Sequence, residues 1–282
     1  MNLCQANLGI ITDELSQNLD EALAFISSYK LQWCELREVW GQNVIGLAQA
    51  GLDRAKHLLV QHNIRVSSVA SPIFKWNLPS MPAKDGLGRD FATAYTENDA
   101  ERLLERAFDI ANFFGTHHVR IFSYWRVAAP EKAFSLVRDR LSEAAELAGK
   151  NGITLLLENE HACNIGTGAE LGCLLREVNS PSLRGIWDPG NSFALGETPY
   201  PDGYEHVKGL FPHMHIKDAR RNGEFQWVPV GSGSIDYRGQ FEALRWEDYD
   251  GTISLETHYR RPDGNKIEST RESLEGLLDV MN

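Results

Sequence analysis

Four short apolar runs in the second half of the chain each stop at a carboxylate or an imidazole. They are LLLENEH (155–161), GIWDPGN (185–191), HMHIKD (213–218) and ISLETH (253–258). If these runs are parallel strands of one sheet, their ends meet, and Glu158, Asp188, His215 and Glu256 form a cluster of three carboxylates and one imidazole. So many like charges together are costly unless a cation neutralises them, so the cluster implies a divalent metal ion. Oxygen-rich ligation with a single imidazole suits Mn2+ best, with Co2+, Mg2+ or Zn2+ as alternatives. A metal held this way takes up a ketone oxygen together with its neighbouring hydroxyl. It polarises the carbonyl, acidifies the adjacent C–H and stabilises the enediolate left after proton removal. Carboxylates on opposite sides of that carbon then remove and return a proton. Isomerisation, epimerisation and elimination of water all begin with this step.

Strand alternation sorts the residues around the cluster. In HMHIK, His213, His215 and Lys217 share a face; His215 is nearer the rim and the better ligand, and His213 is expected as a hydrogen-bonded core histidine. In ISLETH, Ser254, Glu256 and His258 share a face, which sets His258 above the metal. Glu158 closes its apolar run and is assigned to the metal, which leaves Glu160, on the same face, a supporting or substrate role. Asn191 offers a hydrogen bond to a substrate hydroxyl, and Lys217 and Lys75 (in SPIFKW, 71–76) offer an acid/base group or an anion contact. Glu35 either faces the pocket and binds hydroxyls or pairs with Arg37, with the pocket role favoured. Trp76 and Trp125 lie near strand ends as walls for a sugar ring, whereas Trp187 alternates away from Asp188 and is expected against a helix. The glycines of VGSGSIDY (230–237) allow backbone amides to approach a phosphate, a weak signal.

Positioning these groups requires a repeating scaffold. Short β-rich runs occur at 8–12, 33–36, 64–70, 118–122, 153–158, 184–188, 213–217 and 252–256. Between them, apolar residues recur three and four apart, most clearly from Glu97 to Phe114 and from Phe134 to Ala148. Gly115 and Gly152 sit just before strands, where a left-handed helix end is expected. Eight strand–helix repeats predict an α/β fold, a (β/α)8 TIM barrel, with residues 1–282 as one domain. An open doubly wound sheet would carry a glycine-rich loop after its first strand, where this chain reads ITDELSQN. The stretch from Pro72 to Tyr95 follows the third barrel strand and is a candidate lid.

With this set of strand-end residues, the chain resembles, over essentially its whole length, the xylose-isomerase-like barrels. These are sugar and sugar-phosphate isomerases and epimerases, grouped with tagatose epimerases, inosose dehydratases and an AP endonuclease branch. The resemblance implies the metal on Glu158, Asp188, His215 and Glu256, with Glu158 and Glu256 doubling as the acid/base pair. It also implies that Arg221, six residues beyond the histidine, meets substrate oxygens. One position departs. The family's D-x-x-H becomes Asp188-Pro189-Gly190-Asn191, and an amide cannot shuttle a proton. The expectation is a metal-dependent isomerase or epimerase of a small ketose, its phosphate or a related keto-polyol. The alternative is a dehydratase of a keto-inositol or 3-keto-sugar, which shares the first step. A phosphodiesterase of the AP endonuclease kind or a non-catalytic sugar-binding barrel ranks lower.

Composition agrees. The 28 Lys+Arg against 39 Asp+Glu leave a net charge of −11, which argues against nucleic acid as a partner. The N-terminus lacks a basic stretch followed by an apolar core, and no apolar run reaches the roughly 18 residues of a membrane span. A cytoplasmic protein with no membrane partner is therefore expected, acting on a sugar-like small molecule; by resemblance it is a homo-oligomer. Cys4, Cys34, Cys163 and Cys173 show no metal-binding spacing and are expected as buried reduced thiols.

Overall fold

Each of the eight β-rich runs forms a strand, and a helix or helical turn follows each one. A computed structural model describes residues 7–84 and 94–282. In chain order the elements begin β1 (Leu8–Ile11), α1 (Leu19–Ser28), β2 (Trp33–Leu36), a hairpin of β3 (Glu38–Val39) and β4 (Gln42–Asn43), α2 (Gln49–His62) and β5 (Arg65–Ala70). They continue α3 (Ala100–Phe114), β6 (His118–Ile121), α4 (Pro130–Lys150), β7 (Thr154–Glu158), α5 (Gly168–Val178), β8 (Leu183–Trp187), α6 (Pro189–Ala194) and α7 (Tyr204–Val207). The last are β9 (His213–Ile216), a hairpin of β10 (Asp218–Asn222) and β11 (Glu224–Val228), α8 (Tyr237–Trp246), β12 (Thr252–Leu255) and α9 (Lys266–Val280).

The barrel closes in the order β1-β12-β9-β8-β7-β6-β5-β2. All eight pairings are parallel, and β1 returns to β12 with Leu8 opposite Ile253. The chain is thus a TIM barrel, as its alternation predicts. Parallel strands buried on both faces need near-continuous apolar runs, and β7 supplies Leu155, Leu156 and Leu157, all fully buried. The helices cover the outside with one apolar stripe each; α3 buries Leu103, Leu104, Ala107, Phe108, Ile110 and Ala111. Thr167 and Glu170 form a reciprocal capping box that starts α5. Gly172 lets α5 lie close to α7: a β-carbon there would come within 2.0 Å of the His206 carbonyl oxygen.

Three expectations need correction. The two hairpins are additions to the plain strand–helix repeat. Cys34 and Cys163 are buried, but Cys173 is exposed, because Leu171, Leu174 and Leu175 form the buried stripe of α5 and position 173 falls on the opposite side; Cys4 lies outside the described residues. Of the candidate lid, Pro72 to Trp76 is buried rather than raised over the barrel, and residues 85–93 lie outside the described residues. No described helix is long and apolar enough to cross a membrane.

Candidate metal centre

The four residues expected at strand ends come together. Glu158 ends β7, Asp188 follows β8, His215 lies in β9 and Glu256 follows β12, and all four are buried. One ligand atom from each lies within 4.8 Å of the others. Local chemistry fixes each one. Asp188 caps α6, its Oδ1 accepting the Asn191 amide at 2.8 Å. The Asn159 side chain clasps the Asp188 backbone from both sides, accepting its N–H at 2.8 Å and donating to its carbonyl at 2.9 Å. Gly190 leaves room for the Lys217 stem, whose Cγ would lie 2.5 Å from a β-carbon there.

Below the cluster, Glu35 sits between two imidazoles. Its Oε2 lies 2.8 Å from Nε2 of His215 and 3.0 Å from Nε2 of His213, and its Oε1 accepts from Ser68 Oγ at 2.9 Å. Both oxygens are therefore used inside the barrel. Where a hydroxyl-binding role was expected, Glu35 meets His213, His215 and Ser68, the contacts of a histidine-orienting carboxylate. With Nε2–H donated downward, Nδ1 of His215 points its lone pair at Glu158 Oε1 (3.4 Å) and Glu256 Oε2 (3.8 Å). A lone pair facing two carboxylates is repulsive unless a proton or a cation lies between them.

That is the test of whether the residues fit a metal, and they pass it. Three atoms of the cluster have no hydrogen-bond partner: Nδ1 of His215, Oε2 of Glu158 and Oδ2 of Asp188. The two oxygens meet only ion-pair partners, Arg120 Nη1 at 3.3 Å and Lys217 Nζ at 2.9 Å. Four residues that bring one ligand atom each within 4.8 Å of one another, with buried polar atoms left without hydrogen-bond partners, are what a cation site needs before it is filled. Without a cation, burial and the neighbouring carboxylates push the Asp188 carboxyl up to about 6 despite Lys217. Burial opposes ionisation of Glu158 too, but His215 and Arg120 overcome it and hold it below the usual carboxylate range. Glu256 is held well below that range against the same burial by Lys217 and His258.

The orientation of His215 makes a direct prediction. Glu35→Gln removes the charge that holds Nε2–H, and divalent-metal affinity should fall about 10- to 100-fold. Calorimetric titration of metal-stripped protein measures it; unchanged affinity would show that His215 is oriented by packing alone.

Around the cluster the other expected residues separate into two groups. Lys217 Nζ joins Glu256 Oε2 at 2.6 Å. Asn191 Nδ2 donates to Glu158 Oε1 at 3.2 Å. His258 Nε2 is 3.6 Å from Glu256 Oε1, and Lys75 Nζ, buried, lies 3.3 Å from Glu160 Oε2. Arg221 is different: its exposed guanidinium donates to the carbonyls of Phe193 and Ala194, in helix α6, at 3.4 and 3.1 Å. The amides of Gly231 and Gly233, considered for phosphate, both donate to Asp218 Oδ2 at 2.9 and 3.0 Å. Trp187 packs outward as expected, donating to Gln240 of α8 at 3.0 Å.

Several site residues were not singled out in the sequence. Arg37 binds Asp13, Glu14 and Glu256 of the candidate cluster at 2.8, 2.5 and 2.8 Å. Trp227, on hairpin strand β11, stands between His258 (ring centroids 5.0 Å apart) and His161 (6.4 Å), with Lys217 Nζ 5.6 Å from its ring. His161 Nδ1 lies 2.7 Å from Asn191 Oδ1, so the amide that cannot carry a proton has an imidazole beside it.

A family model described as xylose isomerase-like TIM barrel matches residues 23–280. Among curated relatives, inosose dehydratase of Geobacillus thermodenitrificans is 25% identical over 154 residues, covering 49% of this chain and 51% of the relative. The L-ribulose-5-phosphate 3-epimerase UlaE of Escherichia coli is 26% identical over 172 residues, covering 57% and 58%. The chain thus spans a little over half the length of the curated relatives it matches. Among solved structures, the IOLI protein with a bound zinc atom superposes with a TM-score of 0.76 at 18% identity over 98% of both chains, a likeness of fold.

Proposed function

The chain belongs to the xylose isomerase-like TIM barrel family, and we propose that it is a divalent-metal enzyme that takes a proton from the carbon next to the carbonyl of a small polyhydroxy ketone. This is the step that isomerisation, epimerisation and dehydration of sugars have in common. The observation that carries the reading is the meeting of one ligand atom each from Glu158, Asp188, His215 and Glu256 within 4.8 Å, with Nδ1 of His215 left without a hydrogen-bond partner. Glu158, Asp188, His215 and Glu256 would hold the cation; Mn2+ suits this donor set, as do Co2+, Mg2+ and Zn2+. When bound, the cation supplies Lewis acidity at the ketone oxygen.

The chain's own residues do the rest. Glu158 and Glu256 are the carboxylates that take the proton and return it. Arg37 and Lys217 hold one oxygen each of Glu256, fixing its direction and keeping it anionic. Glu158 keeps one oxygen free of hydrogen bonds, so it is the more available of the two. Lys75, Glu160, Asn191, Lys217 and His258 offer donors and acceptors for hydroxyls, and Trp227 is an apolar wall for the ring. The relatives described as a sugar-phosphate epimerase and a keto-inositol dehydratase support the substrate class.

The test is proton exchange. Metal-loaded protein in deuterium oxide should place deuterium beside the carbonyl of a keto-sugar or keto-polyol, and metal-stripped protein should not. Exchange that proceeds equally without metal would contradict the reading.

A further inference from the structure

We infer that the site expels a hydroxyl group, so that the reaction is a dehydration, with His161 as the acid that protonates the departing oxygen. This deepens the proposed function and rests on it. His161 stands three residues beyond Glu158, in the loop after β7. Its Nδ1 lies 2.7 Å from Asn191 Oδ1 and 2.9 Å from Glu160 Oε1. Asn191 uses its NH2 group on Glu158, so its oxygen faces His161; both neighbours of Nδ1 are acceptors. The proton on Nδ1 is therefore fixed, and Nε2 is left with no hydrogen-bond partner among the described residues. The side chain keeps 28% of its surface exposed, and its ring centroid lies 6.4 Å from that of Trp227, so it is partly open to solvent and not in the core.

The position decides which oxygen it serves. Oxygens drawn to the cluster lie within reach of Glu158 and Glu256 themselves. His161 is held one amide group further out, through Asn191, and we assign it to a hydroxyl on the next carbon of the substrate. Moving a proton on and off carbon needs only the two glutamates. Expelling hydroxide needs an acid at that outer oxygen, because hydroxide is a poor leaving group unless protonated. The surroundings keep the proton available: burial opposes the imidazolium, but Glu160 outweighs it and raises the His161 pKa. Lys75 Nζ, 3.3 Å from the other oxygen of Glu160, holds that carboxylate in place against His161.

The step balances without a redox partner. The C–H bond next to the carbonyl breaks and its proton passes to a glutamate. That electron pair is first held as an enolate, which can be quenched by a proton or deuteron returned from the glutamate. When the enolate's C=O re-forms, the pair makes the new C=C bond while the C–O bond on the next carbon breaks. The oxygen leaves with its bonding pair, takes the proton from His161 Nε2 and departs as water. The product is an α,β-unsaturated ketone; solvent then carries the glutamate's proton away and reprotonates His161.

The experiment uses metal-loaded wild type and the His161→Gln and His161→Gly variants, all in deuterium oxide. The probes are a pentahydroxycyclohexanone, a methyl 3-keto-hexoside and a free ketopentose. Deuterium beside the carbonyl is read by NMR, and loss of one water by mass. The expected result is a probe that exchanges and loses water in wild type. In His161→Gln, water loss falls about 10²-fold further than exchange does, and imidazole added to His161→Gly restores it. Exchange in wild type without water loss from any exchanging probe overturns the inference and leaves the proposed function standing. An equal fall of exchange and water loss, without rescue, also overturns it. No exchange with any probe removes the proposed function, and the inference falls with it.

Discussion

Glu158→Gln and Glu256→Gln should each lower proton exchange beside a substrate carbonyl by about 10³-fold or more. Either change replaces an anionic ligand with an amide of the same shape, so the fold is kept while the cation loses a charge partner. Each also removes a carboxylate proposed to move the proton. The two variants should not respond alike in other respects. Glu256 is bound by Arg37 and Lys217, so its loss leaves two buried cations facing an amide. Glu158 faces Arg120 at 3.3 Å and carries an oxygen with no hydrogen bond, so its replacement disturbs less of its surroundings. Glu256→Gln should therefore be the less stable protein of the two, which denaturant unfolding measures. Residual exchange within tenfold of wild type in either variant would place the proton transfer elsewhere.

Arg37→Met should cost about 3–5 kcal/mol of stability, the usual penalty for breaking a buried ion pair by removing one partner. The guanidinium is 4% exposed and serves Asp13, Glu14 and Glu256, themselves nearly inaccessible. Without it, three carboxylates remain buried, with Arg260 on Glu14 and Lys217 on Glu256 as partial compensation. Burial alone would push the Glu14 carboxyl upward; Arg37 heads the charges that hold it below the usual range. Arg37→Lys keeps the charge but not the fork that reaches all three, so it should recover only part of the loss. Urea unfolding of the three proteins checks this. Equal midpoints for wild type and Arg37→Met would show that the network contributes nothing net to stability.

The barrel was legible because its two signals are strong: apolar runs of strand length, and helical spacing between them. All eight runs became barrel strands, with ends displaced by a residue or so. That Glu158, Asp188, His215 and Glu256 meet was legible for the same reason, since parallel strands bring their C-terminal ends together whatever the loops do. Side-chain partners were harder. Glu35 and Arg37 were weighed as a pair, yet residues two apart on a strand share a face while their side chains stand nearly 7 Å apart along it. Glu35 reaches across the barrel to β9, and Arg37 reaches Asp13 and Glu14, just beyond the neighbouring β1, and Glu256, just beyond β12. Such partners come from distant sequence, and nothing local announces them.

The hairpin carrying Trp227 did leave a signal. Asn222-Gly223 is a tight-turn pair, with Gly223 at φ +90°, and DARRN and EFQWV flank it; the charged face hid the alternation. His161 falls in a motif that was read for its carboxylates, and past the end of β7 strand alternation no longer says where a side chain points. The gap expected at Asn191 was real as a residue type. A histidine from another strand's loop lies against it, which a motif read along one segment cannot reveal.

The central claim is that Glu158, Asp188, His215 and Glu256 hold one divalent cation. Calorimetric titration of Mn2+ into metal-stripped wild type and into the Glu158→Gln, Glu256→Gln double variant tests it most directly. The account predicts one equivalent bound by wild type, with protons released as the ligands give them up, and none bound by the double variant. No binding by wild type, or equal binding by both proteins, would contradict it; the cluster would then be a hydrogen-bonded polar pocket, as in a binding protein.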